Sequence, residues 1–393
     1  MTVSDKKEEY QQTLNESFKL LDENQEWIER YAGYISKINS TYFPLQCRFI
    51  REIVHINWPL AAYLNITSVT QSSMNLDLRL MGTSIATLYV QARTLETQDY
   101  NMIKSGNISA IDKSKLNQFV NISFKGKESA FRELVGGSSL RHTQLIDDKF
   151  ICKDYWDLDF IQELLENESY SWNDPKVKKF RSIVKHIYDE NGFVPDNEHA
   201  HESSMLHKMN GDSLTFNAIK PVLLEKSFFQ MPTPFKGSKS KDDKIEYANN
   251  NGGGIDILAR KKLGAQNELC VIEIKDHYEK GEEPIKAIKQ AISYSGFLMR
   301  LIQSDSGKLW YEYFGMKSNP EKCNINAVIA MPFKSDKSGL TEEDTIFDGI
   351  ELDAGNDCRI TLRYIYYDVN ALSAKNSDSS GVLISIPRDN VRK

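Results

Sequence analysis

Cysteine is sparse and scattered. The five thiols, Cys47, Cys152, Cys270, Cys323 and Cys358, form no Cys-x-x-Cys pair. That spacing excludes a cysteine zinc site and a disulfide framework, and points to a reducing, cytoplasmic compartment. Long apolar runs are missing as well, so no stretch reads as a membrane span and no membrane partner is expected. Residues 1–20 are polar and mixed in charge, unlike a secretory leader. Basic residues are not in excess. The 49 Lys and Arg stand against 55 Asp and Glu, a formal charge of −6. Proteins that coat nucleic acid non-specifically are usually basic, so a large footprint of that kind is disfavoured.

What is present is a globular composition, 40% hydrophobic and 26% charged over 393 residues, enough for two or three domains. Residues 4–37 predict one long helix. Leu14, Phe18, Leu21, Trp27, Ile28, Tyr31 and Ile35 recur near helical spacing, and acids crowd the first turns. An amphipathic helix packed on its own domain explains this more simply than a dimer coiled coil. Residues 42–70 show no clean period. Residues 76–92 and 117–125 alternate like strands. Residues 1–150 therefore read as a mixed α/β domain of unknown role, a place for a protein partner or a homo-oligomer contact. Residues 151–195 read as a helical connector. Pro175 suits the first turn of its second helix, which carries Lys176, Lys178, Lys179, Arg181 and Lys185. That basic face is either solvated or turned to phosphate, and the solvated reading is the simpler.

The second half is organised around Gly252–Asp276. Two short β-branched runs, 255–259 and 269–274, flank a turn-like Gly264-Ala265-Gln266-Asn267, which predicts a β-hairpin. Alternation puts Glu273 and Lys275 on one strand face and Ile272 and Ile274 on the other. The hairpin returns Asp256 to that pair. Two carboxylates and an ammonium then converge on an otherwise apolar sheet, which is costly unless a cation neutralises the acids. Mg²⁺ (or Mn²⁺) suits oxygen ligands and keeps several waters.

Asp256 followed by Glu273-x-Lys275 on consecutive strands resembles the PD-(D/E)XK nuclease superfamily, with its restriction-endonuclease-like fold. Ile255 stands where that family usually has Pro, a departure the superfamily often shows. Downstream, Gln290-x-x-x-Tyr294 resembles the helix motif of the exonuclease and recombination branch; the two residues share one helix face. The resemblance covers about 198–370 and implies an α/β protein. A C-terminal restriction-endonuclease-like mixed sheet flanked by helices, over 196–373, would follow the N-terminal mixed α/β domain. A loose tail over 374–393 would close the chain.

The resemblance implies a metal-dependent nuclease that hydrolyses phosphodiesters, DNA favoured, by a metal-activated water. Asp256, Glu273 and the carbonyl of Ile274 would hold the metal. Lys275 would hold the water or the developing charge. Residues 198–209 fit the first helix of the fold, which often gives a further acid; Glu202 is the candidate and Glu198 the substitute. Gln290 would join the catalytic set. Tyr294, Lys286, Lys289 and Lys244 would meet nucleic acid. His199 and His201 are i, i+2 and share no helix face, so joint zinc ligation is not expected. Residues 213–226 predict a second helix interrupted by Pro221, and Phe228–Phe235 the first strand of the nuclease sheet, where relatives often carry a Glu and this chain has Gln230 or Met231. The polar loop Lys236–Gly254 lies beside the site. Two other readings compete: an inactive nuclease-fold protein that binds nucleic acid or a partner, and an interaction protein whose hairpin acids are solvated.

Overall fold

The computed structural model describes residues 3–40, 43, 47, 56–65, 74–90, 96–107, 110–111, 120–124, 158–166, 169–191, 197–211, 219–224, 227–236, 245–249, 252–263, 266–275, 284–317, 322–332, 347–373 and 383–384. Lys244 lies outside them, as does the 212–218 part of the helix expected over 213–226.

The long N-terminal helix is two helices, α1 (Val3–Glu23) and α2 (Glu26–Ile38). The break has a local cause. The Asn24 side chain donates to the Leu20 carbonyl at 2.8 Å, and Trp27 Nε1 to the Leu21 carbonyl at 3.1 Å. Side chains thus take carbonyls at the end of α1 that a continuing helix would have used. Tyr10, Leu14, Ser17 and Leu21 form the buried stripe of α1.

The first sheet begins as an antiparallel run: β1 (Leu60–Asn65), β2 (Met74–Leu80), β3 (Thr83–Val90), β4 (Val120–Phe124) and β5 (Tyr170–Ser171). Alternation places Leu76, Leu78 and Leu80 of β2 inside, with Asp77 and Arg79 on the opposite face. The turn to β3 has positive φ at Met81 and Gly82. A Cβ at Gly82 would collide with the backbone carbonyl of His199, so only glycine lets this turn dock there. Helices α3 (Thr97–Lys104), α4 (Leu158–Glu166) and α5 (Pro175–Asn191) follow the sheet's strands in sequence.

Then come α6 (Glu198–Gly211) and three short strands, β6 (Ile219–Pro221), β7 (Leu223–Leu224) and β8 (Ser227–Gln230). These correct two expectations. Residues 219–221 and 223–224 are strand, not helix. Pro221 ends β6, which pairs with the second sheet on one side only, a position that tolerates a missing N–H. And β8 joins the first sheet, not the second, parallel to β1 with Phe228 opposite Tyr63. Ser227, Phe228 and Phe229 are all buried, which suits a strand enclosed between β1 and β7.

The second sheet runs β12-β13-β11-β10-β9-β6, with β14 (Leu383–Ile384) on β13. Here β9 (Ile257–Leu263) and β10 (Gln266–Ile274) are the expected antiparallel hairpin. β11 (Asn324–Pro332) lies parallel to both β10 and β13 (Arg359–Tyr367), and β12 (Glu351–Asp353) pairs antiparallel with β13. β11 is buried from its second residue on, because both faces are covered. One face carries Leu269, Val271, Ile325, Ala327 and Ile329 and packs with α7 (Pro284–Gln303). The other carries Cys270, Ile272, Val328 and Ala330 and packs with Met205 and Met209 of α6. Helix α8 (Gly307–Tyr313) and α9 (Val369–Ser373) complete the described helices.

The two halves share a core. α1 lies along α7: Ser17 Oγ is 3.0 Å from Ser293 Oγ, Glu9 pairs with Lys289 at 2.8 Å, and Asp22 with Arg300 at 3.1 Å. Gly296 leaves room for Leu14, whose Cδ1 would sit 2.9 Å from an added Cβ. The divisions expected at 150 and 196 coincide with neither sheet, since β8 belongs to the first and α1 packs on the second. No helix among the described residues is long and apolar enough to cross a membrane.

Candidate active site

The Gly252-Gly253-Gly254 run precedes β9 and lies against 231–235. Thr233 N donates to Gly253 O at 2.7 Å, Gly253 N to Phe235 O at 2.6 Å, and Ile255 N to Met231 O at 2.9 Å. A Cβ at Gly252 would overlap the Thr233 and Phe235 carbonyls. This ties down the residue before Asp256 on both sides. The hairpin register sets Ile257 opposite Ile272, so one residue further along Asp256 stands opposite Glu273. Cross-strand partners share a face. That face is the α7 side, the one that carries Val271 and Leu258.

The two carboxylates are treated differently. Asp256 Oδ2 accepts the Ile274 amide at 3.0 Å. Glu273 is fully buried, and neither of its oxygens has a hydrogen-bond partner of good geometry among the described residues; the Asp256 backbone amide approaches it and only slightly offsets the burial. Burial, then the Asp256 charge, drives the Glu273 carboxyl well above the ordinary carboxylate range. Burial, then the Glu202 charge, pushes Asp256 up to about 6. Lys275, itself 6% exposed, lowers both and leaves both raised. Its Nζ is 3.6 Å from Glu198 Oε1.

Helix α6 delivers the further acids. Glu202 is 2% exposed; its Oε1 lies 3.8 Å from Arg79 Nη1 and its Oε2 3.8 Å from His199 Nδ1. The Glu202 carboxylate keeps the His199 imidazolium above its usual range. Arg79 comes from the first sheet. It also bonds Asp77 at 2.8 Å and Gln230 at 2.7 Å, and its guanidinium stacks 4.1 Å from the Tyr63 ring centroid. Gln230 in turn abuts Gly254. So the first sheet reaches the strand entry at Asp256 through Arg79 and Gln230.

Helix α7 brings Gln290 and Tyr294. Gln290 Nε2 donates to the Tyr294 hydroxyl at 3.0 Å, and Gln290 Oε1 is buried without a partner among the described residues. Tyr294 is 1% exposed and part of the core, yet its hydroxyl feels the carboxylates. Burial, then Glu273, raises its pKa, so it stays a neutral donor. Tyr294 is therefore a core aromatic whose hydroxyl lies near the carboxylates.

Other candidates lie elsewhere. Lys289, Ser293 and Arg300 form the stripe of α7 that meets α1, and Lys289 is tied to Glu9. Lys286 falls in the first turn of α7. The three histidines of α6 go separate ways: His199 to Glu202, buried His201 to Tyr367, and His207 to a stack on Trp58 with centroids 4.5 Å apart. Sequence reasoning missed Arg79 and Tyr367. For Arg79 a signal existed, since Leu76-Asp77-Leu78-Arg79-Leu80 puts an ion pair on one face of an otherwise apolar strand. For Tyr367 there was none.

The residues fit a divalent cation. Two carboxylates share a face, and the deeper one is buried with both oxygens unpartnered, which is costly for any anion left without a counter-charge. Their oxygen chemistry suits Mg²⁺ or Mn²⁺. Among the described residues no three His, Cys, Asp or Glu side chains gather into a ready ligand cluster, so water and a backbone carbonyl would have to complete the set. No family model, curated protein or solved structure matches the chain.

Proposed function

We propose that the chain is a Mg²⁺- or Mn²⁺-dependent phosphodiesterase acting on nucleic acid, with DNA the favoured substrate. The observation that carries this reading is Glu273: a fully buried carboxylate with two unpartnered oxygens, opposite Asp256 and two residues from Lys275. A fully buried carboxylate beside a second acid has two low-cost states, protonated or cation-bound.

Asp256 and Glu273 would hold the ion, with the carbonyl of Ile274 as a further ligand. Bound there, the ion supplies an acidified water and neutralises phosphate charge. The chain does the rest. The Ile274 amide fixes one Asp256 oxygen and leaves the other to bind. Lys275 orients the attacking water or meets the charge developing on phosphate. Its contact with Glu198 holds the ammonium in reserve at the rim. Glu202 adds negative charge beside Asp256. Gln290 and Tyr294 place two polar groups at the inner wall, next to Glu273.

The test is cleavage of a panel of single- and double-stranded DNA and RNA with Mg²⁺, with Mn²⁺ and with EDTA. Metal-dependent cleavage lost in Asp256→Asn is the expected result. Metal binding without cleavage of any substrate would leave a nucleic-acid or protein-binding module in its place.

A further inference from the structure

Lys275 stands one residue past the end of β10, where ladder hydrogen bonds stop. Its backbone is held nonetheless. The Lys275 amide donates to the Ala330 carbonyl at 3.0 Å. The Lys275 carbonyl accepts the hydroxyl of Tyr367 at 2.6 Å, from the last residue of β13. The Tyr367 hydroxyl also lies 2.9 Å from His201 Nδ1. That hydroxyl has one proton, and it is committed to Lys275. His201 Nδ1 must therefore be the donor at the second contact.

Both side chains are fully buried, against Met205, Ile274, Ala330 and Leu372. Phenylalanine would fill that space without a polar group to satisfy. A hydroxyl and an imidazole in a dry apolar layer are costly unless their hydrogen bonds are made. Here the Tyr367 hydroxyl and His201 Nδ1 are paired in one direction, from α6 through β13 to the backbone of Lys275. The chain of bonds crosses the sheet on the face away from Asp256 and Glu273. It touches neither carboxylate, so it has no direct part in holding a metal.

We propose that Tyr367, oriented by His201, is a positioning residue: it pins the Lys275 backbone and so sets where the Lys275 ammonium works. The proposal rests on the role given to Lys275 above. Without the clamp, the residue after Ile274 loses the anchor on its carbonyl, and its side chain samples positions off the reacting phosphate. Misplacement of a catalytic group by about 1 Å can reduce a rate by about 10²-fold.

The experiment uses the full chain with Tyr367→Phe, which keeps the ring and removes only the hydroxyl. Amide exchange is read residue by residue by NMR, beside cleavage kinetics and Mn²⁺ affinity. Exchange at Lys275 should quicken about tenfold, while Val271 in mid-strand keeps its protection. The kcat should fall by about 10- to 100-fold, with KM and Mn²⁺ affinity within about twofold. His201→Asn should reproduce a smaller part of both effects, and it serves if Tyr367→Phe folds poorly. Unchanged exchange at Lys275 in both variants overturns the clamp, whatever the activity. Faster exchange with wild-type kcat overturns the positioning role. Faster exchange in a protein whose wild type cleaves nothing keeps the clamp and removes the nuclease reading instead.

Discussion

The two sheets both carry charge on surfaces that are otherwise apolar, and they handle it in opposite ways. In the first sheet Arg79 is ringed by partners: Asp77, Gln230, the face of Tyr63 and, further off, Glu202. In the second sheet Glu273 has no hydrogen-bond partner for either oxygen among the described residues. A buried charge with a full set of partners is architecture. A buried charge without them is tolerated only when something outside the chain completes it, or a proton does. The contrast assigns opposite roles to the largely buried Arg79 and the fully buried Glu273, and substitution can break it.

The largest effects should fall on activity. Asp256→Ala and Glu273→Ala should each abolish metal-dependent cleavage, measured as initial rate against enzyme concentration on the best substrate of the panel. Lys275→Ala should keep Mn²⁺ binding and lose about 10²- to 10³-fold in kcat, the scale set by removing a group that meets transition-state charge. Wild-type kcat in Lys275→Ala would remove it from the chemistry.

Stability should then move in opposite directions in the two sheets. Arg79→Met leaves Asp77 and Glu202 without their buried cation. It should cost about 3–5 kcal/mol, read from denaturant midpoints. Glu273→Gln removes a buried carboxyl that must take up a proton or stay poorly paired in the metal-free fold, so in EDTA at neutral pH it should raise the melting temperature. Two variants that destabilise alike would erase the distinction between the sheets.

The pH dependence sharpens the same point. Asp256 and Glu273 hold their protons more tightly folded than unfolded. Their contribution to stability is complete below the ordinary carboxylate range, about 4, and is lost as pH rises through the folded values. For Asp256 that loss is largely complete by about 6, and for Glu273 it extends higher. The metal-free protein should therefore lose stability between about pH 4 and 7 from these two groups, and saturating Mg²⁺ should flatten the slope. A slope that is the same with and without the ion would detach the carboxylates from metal binding.

The smallest effect concerns α7. Gln290→Ala should lower cleavage by about tenfold, within the range for one positioning contact, with little change in melting temperature. Equal losses of activity and stability would make Gln290 part of the packing around Tyr294.

Local pattern was readable in this chain, and long-range pairing was not. The hairpin of β9 and β10 followed from two β-branched runs and a short turn, and its register sets Asp256 opposite Glu273. The long α7 and the strand at 324–332 were likewise visible in their own residues. By contrast, Phe228 sits in the first sheet because Tyr63, far away in sequence, lies beside it. No periodicity within 219–230 encodes that choice. The break after α1 depends on where Trp27 and Asn24 find carbonyls. Arg79 reaches the site through a turn that docks on His199 only because Gly82 lacks a side chain. Tyr367 reads as the last apolar residue of a strand. Its role exists only once Lys275 and His201 are placed around it.

The measurement closest to the central claim is a Mn²⁺ titration followed by thermal unfolding, in wild type and in Glu273→Gln, with no nucleic acid present. An ion at 100 times its Kd stabilises the folded state by about 2.7 kcal/mol. The wild-type melting temperature should rise with Mn²⁺ from a low metal-free value, and Glu273→Gln should start higher and respond little. A wild type indifferent to Mn²⁺, or a Glu273→Gln variant that responds as strongly as wild type, would contradict the assignment of this carboxylate pair as a metal site.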